Sequence, residues 1–364
     1  MVLFNGEEMP LNCYATDKVI FHPKIVQSFM VHCSHEMNPV FIHLMPQNFC
    51  NQNCSFCSYR MEEWKNSKDF DKKSHIPIER LIQLVRELDD IGVKAIEITG
   101  GGEPLAHPQI TVLLQELATV PIETALVTNG TLLKEVTVDF LYNTHLQWAR
   151  VSIDAGNKDM YCKVRRCPDT HWVMAWQGVK RLVDRRDDQL IGIGYVITDQ
   201  NYNGVYEACS RARDYGVDNV RVSMAFTSKG ADLLNQEQKL EARKQLELCE
   251  KLNNRTFTVI DLFNERLTNM LKQSTQNYDY CGIKDLLCVI EGACNVYTCC
   301  TLTGTKDGYI GNISEQTLAE LWKTKVTFRE KFDPRKMCKC ACLYEKRNRV
   351  ILGLRNPPEH INFI

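Results

Sequence analysis

Cys50, Cys54 and Cys57 stand in a Cys-x3-Cys-x2-Cys run, with Phe56 directly before the third thiol. Thiolates are soft ligands that suit zinc or iron-sulfur clusters, and either use needs them gathered by one short loop. Having three ligands rather than four carries a consequence. A 4Fe-4S cube held by three thiolates keeps its fourth iron open to a small molecule, whereas structural zinc closes its shell with a fourth protein ligand. His43 or a distant cysteine can provide that closure, so the run alone leaves a zinc knuckle open as well. A second concentration begins at Cys281 and continues with Cys288, Cys294, Cys299, Cys300, Cys338, Cys340 and Cys342. The other six of the seventeen cysteines, Cys13, Cys33, Cys162, Cys167, Cys209 and Cys249, are scattered. The odd total fits complete disulfide pairing poorly, and the clustering points to metal or redox chemistry. Between the two concentrations lies Thr99-Gly100-Gly101-Gly102-Glu103-Pro104. Glycine there lets backbone carbonyls approach a ligand, and Glu103 can orient the turn or receive an ammonium group.

These groups need a scaffold, and the hydrophobic pattern between about residues 40 and 226 supplies one. Strand-like runs at 40–45, 95–99, 123–128, 149–153, 191–197 and 219–225 alternate with helical runs at 78–91, 109–117, 136–141, 172–185 and 204–215. Such alternation predicts a parallel sheet covered by helices, either an open doubly wound sheet or a partial barrel. The cysteine loop then follows the first strand and the glycine turn follows the second. A composition of 44% hydrophobic and 24% charged residues over 364 residues is that of a chain with a large core. The net charge of -1 offers no global field for nucleic acid or an anionic membrane. Residues 1–18 lack a secretory pattern, and no apolar run approaches the roughly 20 residues of a membrane helix. A reducing, cytoplasmic setting is therefore expected.

The cysteine run, its Phe56, and the Gly-Gly-Glu-Pro sequence after the next strand resemble the radical S-adenosylmethionine (SAM) enzymes. The resemblance covers about residues 38–226 and implies a partial (β/α)6 barrel, which selects the barrel over the open sheet. It further implies that Cys50, Cys54 and Cys57 hold a 4Fe-4S cluster whose open iron chelates SAM. One electron from that cluster then yields a 5'-deoxyadenosyl radical that takes a hydrogen atom from substrate. Phe56, Gly100, Gly101, Gly102, Glu103 and Pro104 fall at that family's cofactor positions. So do Asn129 of Thr128-Asn129-Gly130, and Ser152 and Asp154 of Ser152-Ile153-Asp154, where the family's polar groups face the ribose and carboxylate of SAM. Arg165 matches an arginine that meets the SAM carboxylate by bidentate pairing. On the residues alone, Ser152 and Asp154 also read as helix caps and Arg165 as a solvated charge.

The tail resembles the auxiliary-cluster extension called SPASM or, in its shorter form, twitch, an α+β unit around a further 4Fe-4S cluster. Cys281 and Cys299 match its first two ligands, and two of Cys338, Cys340 and Cys342 complete the set. Two departures stand out. Cys294 occupies a hairpin position that usually carries glycine, and the last group is spaced Cys-x-Cys-x-Cys rather than Cys-x2-Cys. Cys288, Cys294 and Cys300 are then core thiols or ligands of a second auxiliary cluster. The organisation expected is a lead-in at 1–37, the barrel at 38–226, a helical connection at 227–275 and the auxiliary-cluster domain at 276–364. Ten Lys or Arg against three Asp or Glu between residues 322 and 349 suit an acidic electron donor such as flavodoxin or ferredoxin, or a phosphate-bearing substrate. A solvated basic face is the plainer alternative.

The function expected is hydrogen abstraction from a small polar metabolite or a peptide residue, with the auxiliary cluster assisting. A peptide epimerase or a cross-linking (thioether or carbon-carbon) maturase is the alternative within the fold. A non-catalytic metal-binding protein is the alternative outside it. Cys162, Cys167 and Cys209 are candidate hydrogen donors, each equally readable as a buried inert thiol.

Overall fold

The computed structural model describes residues 2–4, 7–9, 15–60, 70–225, 234–264, 267, 277–338, 342–357 and 359. Cys13 and Cys340 lie outside them. A short antiparallel hairpin, β1 (Val2–Phe4) and β2 (Glu7–Met9), precedes the main sheet. Six strands then lie side by side in chain order, each parallel to the last: β3 (Phe41–Leu44), β4 (Ala95–Ile98), β5 (Glu123–Thr128), β6 (His145–Ser152), β7 (Leu190–Ile197) and β8 (Asn219–Met224). The sheet continues past β8 through the parallel strand β9 (Thr258–Asp261). At the other edge β10 (Leu287–Ile290) pairs parallel with β3, and β11 (Asn295–Tyr297) and β12 (Tyr309–Asn312) follow antiparallel. Among the described residues the order ends at β9 on one side and β12 on the other without joining, so the barrel is partial and open.

Alternation explains the two faces of the sheet. In β4, Ile96 and Ile98 are buried against the helices, while Ala95 and Glu97 turn the other way. Helix Ile78–Asp90 covers this region with Leu81, Leu84, Val85 and Leu88 on one fully buried stripe. Helix Leu318–Thr324 packs against it, begun by a reciprocal capping box between Thr317 and Glu320. Arg80 of the first helix donates from Nε to the Ile313 carbonyl at 2.7 Å. The C-terminal cysteine region is therefore joined to the barrel by strand pairing at β3 and by helix packing.

Most expected elements recur within a residue or two. Strand β6 is longer than expected because its first half carries exposed His145 and Gln147, which conceal the strand from a hydrophobicity search. Helix Lys158–Arg165 has no apolar signature in the sequence, since half its residues are charged; a side-chain bond from Asn157 to the Met160 amide starts it.

Candidate active site

A cavity of about 600 Å3 opens at the C-terminal ends of the barrel strands, within the usual size range of a ligand pocket. Cys50, Cys54 and Cys57 line it, and so do Cys281, Cys299, Cys338 and Cys342. The fold thus turns both cysteine groups, more than 220 positions apart in the chain, toward one space.

The first group sits on a loop pinned by its backbone. Asn53 N and Ser55 N donate to the carbonyls of Arg165 and Val164 at 3.1 and 2.9 Å, tying the loop to the end of helix Lys158–Arg165. On its other side Phe49 O accepts from Glu103 N at 2.8 Å. Burial pushes the Cys50 thiol up to about 12, with the Glu103 carboxylate adding to the shift. The Cys54 thiol is likewise raised by burial, against the pull of the Arg165 guanidinium. Phe56 lines the cavity beside them.

The glycine turn is packed too tightly for side chains. A Cβ on Gly102 would lie 1.9 Å from Phe49 O, and one on Gly100 would lie 1.8 Å from Gly102 O, both immovable backbone atoms. Gly100, Gly101 and Gly102 all face the cavity. Glu103 uses its carboxylate as a brace: it accepts from Thr128 Oγ1 at 2.5 Å, Asn129 N at 2.8 Å and Leu105 N at 3.2 Å, locking the end of β4 to the end of β5. Of the two roles open to it in the sequence, orienting the turn is the one its bonds serve. Pro104 is buried in the following turn and does not line the cavity.

Asn129 reaches the cavity and also bridges to the cysteine loop, donating to Asn51 Oδ1 at 2.7 Å. Ser152 and Asp154 line the wall at the end of β6. Asp154 has a left-handed backbone, φ 55°, and is buried; it accepts from Val196 N at 2.7 Å and pairs with Arg165 Nη2. Arg165 is itself buried, neither a solvated charge nor a loose one. Its Nη1 donates to Gln52 Oε1 at 3.0 Å and to Cys54 Sγ at 3.6 Å, while Nε has no partner.

In the second group, Cys281 is pushed up to about 11 by burial, whereas Cys299 is drawn down, chiefly by a hydrogen bond with Cys300. Cys342 accepts from Tyr344 N at 3.3 Å. Cys288 and Cys294 belong to the buried core rather than the cavity wall. Cys294 has φ 62°, the left-handed conformation that explains why glycine suits this hairpin turn. Cys162 and Cys167, near the end of helix Lys158–Arg165, do not line the cavity, and Cys209 is buried against Cys249 in the core. Among the described residues, the spare thiol that does line it is Cys300.

The donors fit iron-sulfur clusters. Cys50, Cys54 and Cys57 line the cavity as one group of thiols and Cys281, Cys299, Cys338 and Cys342 as a second, and a cube takes one thiolate per iron from such spaced positions. His43, the possible closing ligand for zinc, is buried outside the cavity wall, 3.3 Å from Tyr344 Oη and 3.8 Å from Glu97. Two buried polar atoms on the wall lack protein partners, Arg165 Nε and Thr298 Oγ1, as befits a site shaped for a polar ligand. Gln52 and Thr298 are not visible as site residues in the sequence, because a spacer residue and a strand-end threonine carry no pattern.

This chain belongs to the Radical SAM superfamily, whose model matches residues 44–230; the model of the iron-sulfur cluster-binding domain SPASM matches residues 281–343. It accordingly uses S-adenosylmethionine and a 4Fe-4S cluster, together with auxiliary iron-sulfur ligation in the SPASM region. An AdoMet-dependent heme synthase from Methanosarcina barkeri is 23% identical over 319 residues, 82% of this chain and 86% of that one. An S-adenosylmethionine-dependent nucleotide dehydratase from Flammeovirga pacifica is 32% identical over 110 residues, 30% of this chain and only 36% of the relative. The crystal structure of Streptococcus suis SuiB bound to precursor peptide SuiA superimposes with a TM-score of 0.62 at 17% identity, covering 95% of this chain and 80% of that one. No helix among the described residues is long and apolar enough to cross a membrane.

Proposed function

We propose that this enzyme abstracts a hydrogen atom from a C-H bond of a peptide residue or small polar metabolite, leaving a substrate radical that would lose a proton to solvent and its unpaired electron to an auxiliary cluster. The observation carrying this is that one cavity of about 600 Å3 is walled by both cysteine groups. With cofactors bound, reductive cleavage of SAM supplies a 5'-deoxyadenosyl radical inside that space. In this reading Cys50, Cys54 and Cys57 hold the SAM cluster, and Cys281, Cys299 and Cys342 with Cys338 or Cys340 hold the auxiliary one. Gly100 to Gly102 offer backbone to the SAM amino group, and the unpartnered Nε of Arg165 is a donor for its carboxylate. Asn129 and Ser152 present polar groups for the ribose, while Glu103, Asp154 and Pro104 hold the turns beneath them.

The SuiB likeness supports a peptide substrate, and the SAM-dependent relatives support a small molecule. An acidic electron carrier of the flavodoxin or ferredoxin type suits the basic stretch at 322–349. A reducing, cytoplasmic compartment belongs to the same reading, and the described cysteines are free thiols. Epimerisation is the second reading, favoured by Cys300, whose thiol lines the cavity where a hydrogen atom could be returned to a substrate radical.

Anaerobic reconstitution followed by dithionite and SAM should release 5'-deoxyadenosine. The triple variant Cys50→Ala, Cys54→Ala, Cys57→Ala should release none, and undiminished release would end the proposal. Deuterium transferred from candidate peptides or metabolites into 5'-deoxyadenosine identifies the substrate, and solvent deuterium in the product marks epimerisation.

A further inference from the structure

We propose that Arg165, clamped by Asp154, is a positioning residue that sets the reduction potential of the first cluster through its hydrogen bond to Cys54. This rests on the reading above that Cys54 is a cluster ligand.

The geometry is built from three sides. The guanidinium spans the gap between β6 and the cysteine loop: Nη2 on Asp154, and Nη1 shared between Gln52 Oε1 at 3.0 Å and Cys54 Sγ at 3.6 Å. Arg165 is 4% exposed and Asp154 1%, so neither charge is weakened by water. Asp154 is in turn fixed. Val196 N donates to its Oδ1, its carbonyl accepts from Asn201 Nδ2 at 2.8 Å, and its backbone is held left-handed at φ 55°, a conformation uncommon outside glycine. Strain of this kind persists only where the surroundings over-determine it. A guanidinium needed merely to balance Asp154 would require neither the contact with sulfur nor the second clamp from Gln52.

The consequence for redox follows from charge. Reduction adds an electron to a cluster whose density is spread onto its thiolates, and a charge-assisted N-H donor at sulfur favours the more negative state. Arg165 therefore raises the potential and makes the cluster easier to reduce. Lysine cannot reproduce this, because one ammonium cannot meet Asp154, Gln52 and Cys54 with a planar fork.

The test is an EPR-monitored redox titration of the reconstituted full-length protein without SAM. Arg165→Lys should lower the midpoint potential. The double variant Arg165→Gln, Asp154→Asn removes one charge of each sign, preserves net charge and leaves no unpaired buried ion, and it should lower the potential too. A midpoint equal to wild type in both variants overturns the proposal. As a measurement independent of variant folding, 15N-arginine labelling of the wild-type protein should give a 15N ENDOR coupling to the reduced cluster; its absence also overturns the proposal. Failure of the wild-type protein to assemble a cluster on Cys50, Cys54 and Cys57 would instead refute the functional reading itself.

Discussion

Individual side chains at this site are separated by their surroundings more than by their type. Cys50 and Cys299 are both thiols on one cavity wall, yet burial beside Glu103 pushes the first up to about 12, while hydrogen bonding with Cys300 draws the second down. Only the thiolate reacts with alkylating agents. In the metal-free protein, iodoacetamide should label Cys299 in preference to Cys50 between pH 6 and 8, because hydrogen bonding holds the first thiol below its ordinary range and burial holds the second above it. Cys50 should remain a thiol throughout. Peptide mass spectrometry reads both sites, and equal labelling of the two would contradict this assignment. Glu103 is a second case. Its three donors leave no room for an amide nitrogen, so Glu103→Gln should destabilise the protein by about 1–3 kcal/mol in urea denaturation and weaken SAM binding in equilibrium dialysis. The sequence shows that a glutamate follows the glycines; that Thr128 and Asn129 are its partners depends on β5 lying beside β4.

Turns and strand ends carry the next set of constraints. Gly102→Ala must displace the backbone at Phe49, in the cysteine loop itself, so it should lose both SAM binding and efficient cluster assembly. Gly92→Ala is a useful comparison: nothing lies within 4 Å, and only the left-handed φ of 82° is strained, so about 1 kcal/mol of stability should be lost while cluster content is kept. Iron analysis and thermal denaturation distinguish the two. In the β10–β11 turn, Cys294→Gly should leave iron content unchanged because that thiol points into the core. The glycine turn was legible because three adjacent glycines after an apolar run end a strand and open a turn whatever their tertiary setting. Helix Lys158–Arg165 was not, because its cap and its buried face become visible only once the cysteine loop rests on it.

At the level of the entire chain, the C-terminal region shares its sheet with the barrel. Strand β10 covers β3, whose Ile42 and Leu44 are fully buried. A chain ending at residue 275 should therefore expose a paired edge and apolar surface, and it should aggregate rather than behave as a separate barrel. A soluble, monodisperse product in size-exclusion chromatography would refute this. Iron counting of the reconstituted full-length chain should give about eight per protein, for one auxiliary cluster, since Cys288 and Cys294 are held in the core.

Ligand chemistry and local order were readable in the amino-acid sequence because they depend on spacing: thiols three and four positions apart must share a loop, and apolar runs of alternating period must form strands and helices. Their convergence was not readable. Whether residue 54 meets residue 165, or residue 50 shares a cavity with residue 299, is settled by strand order and by how β10 joins β3. Those depend on packing between segments far apart in the chain, for which local periodicity holds no record.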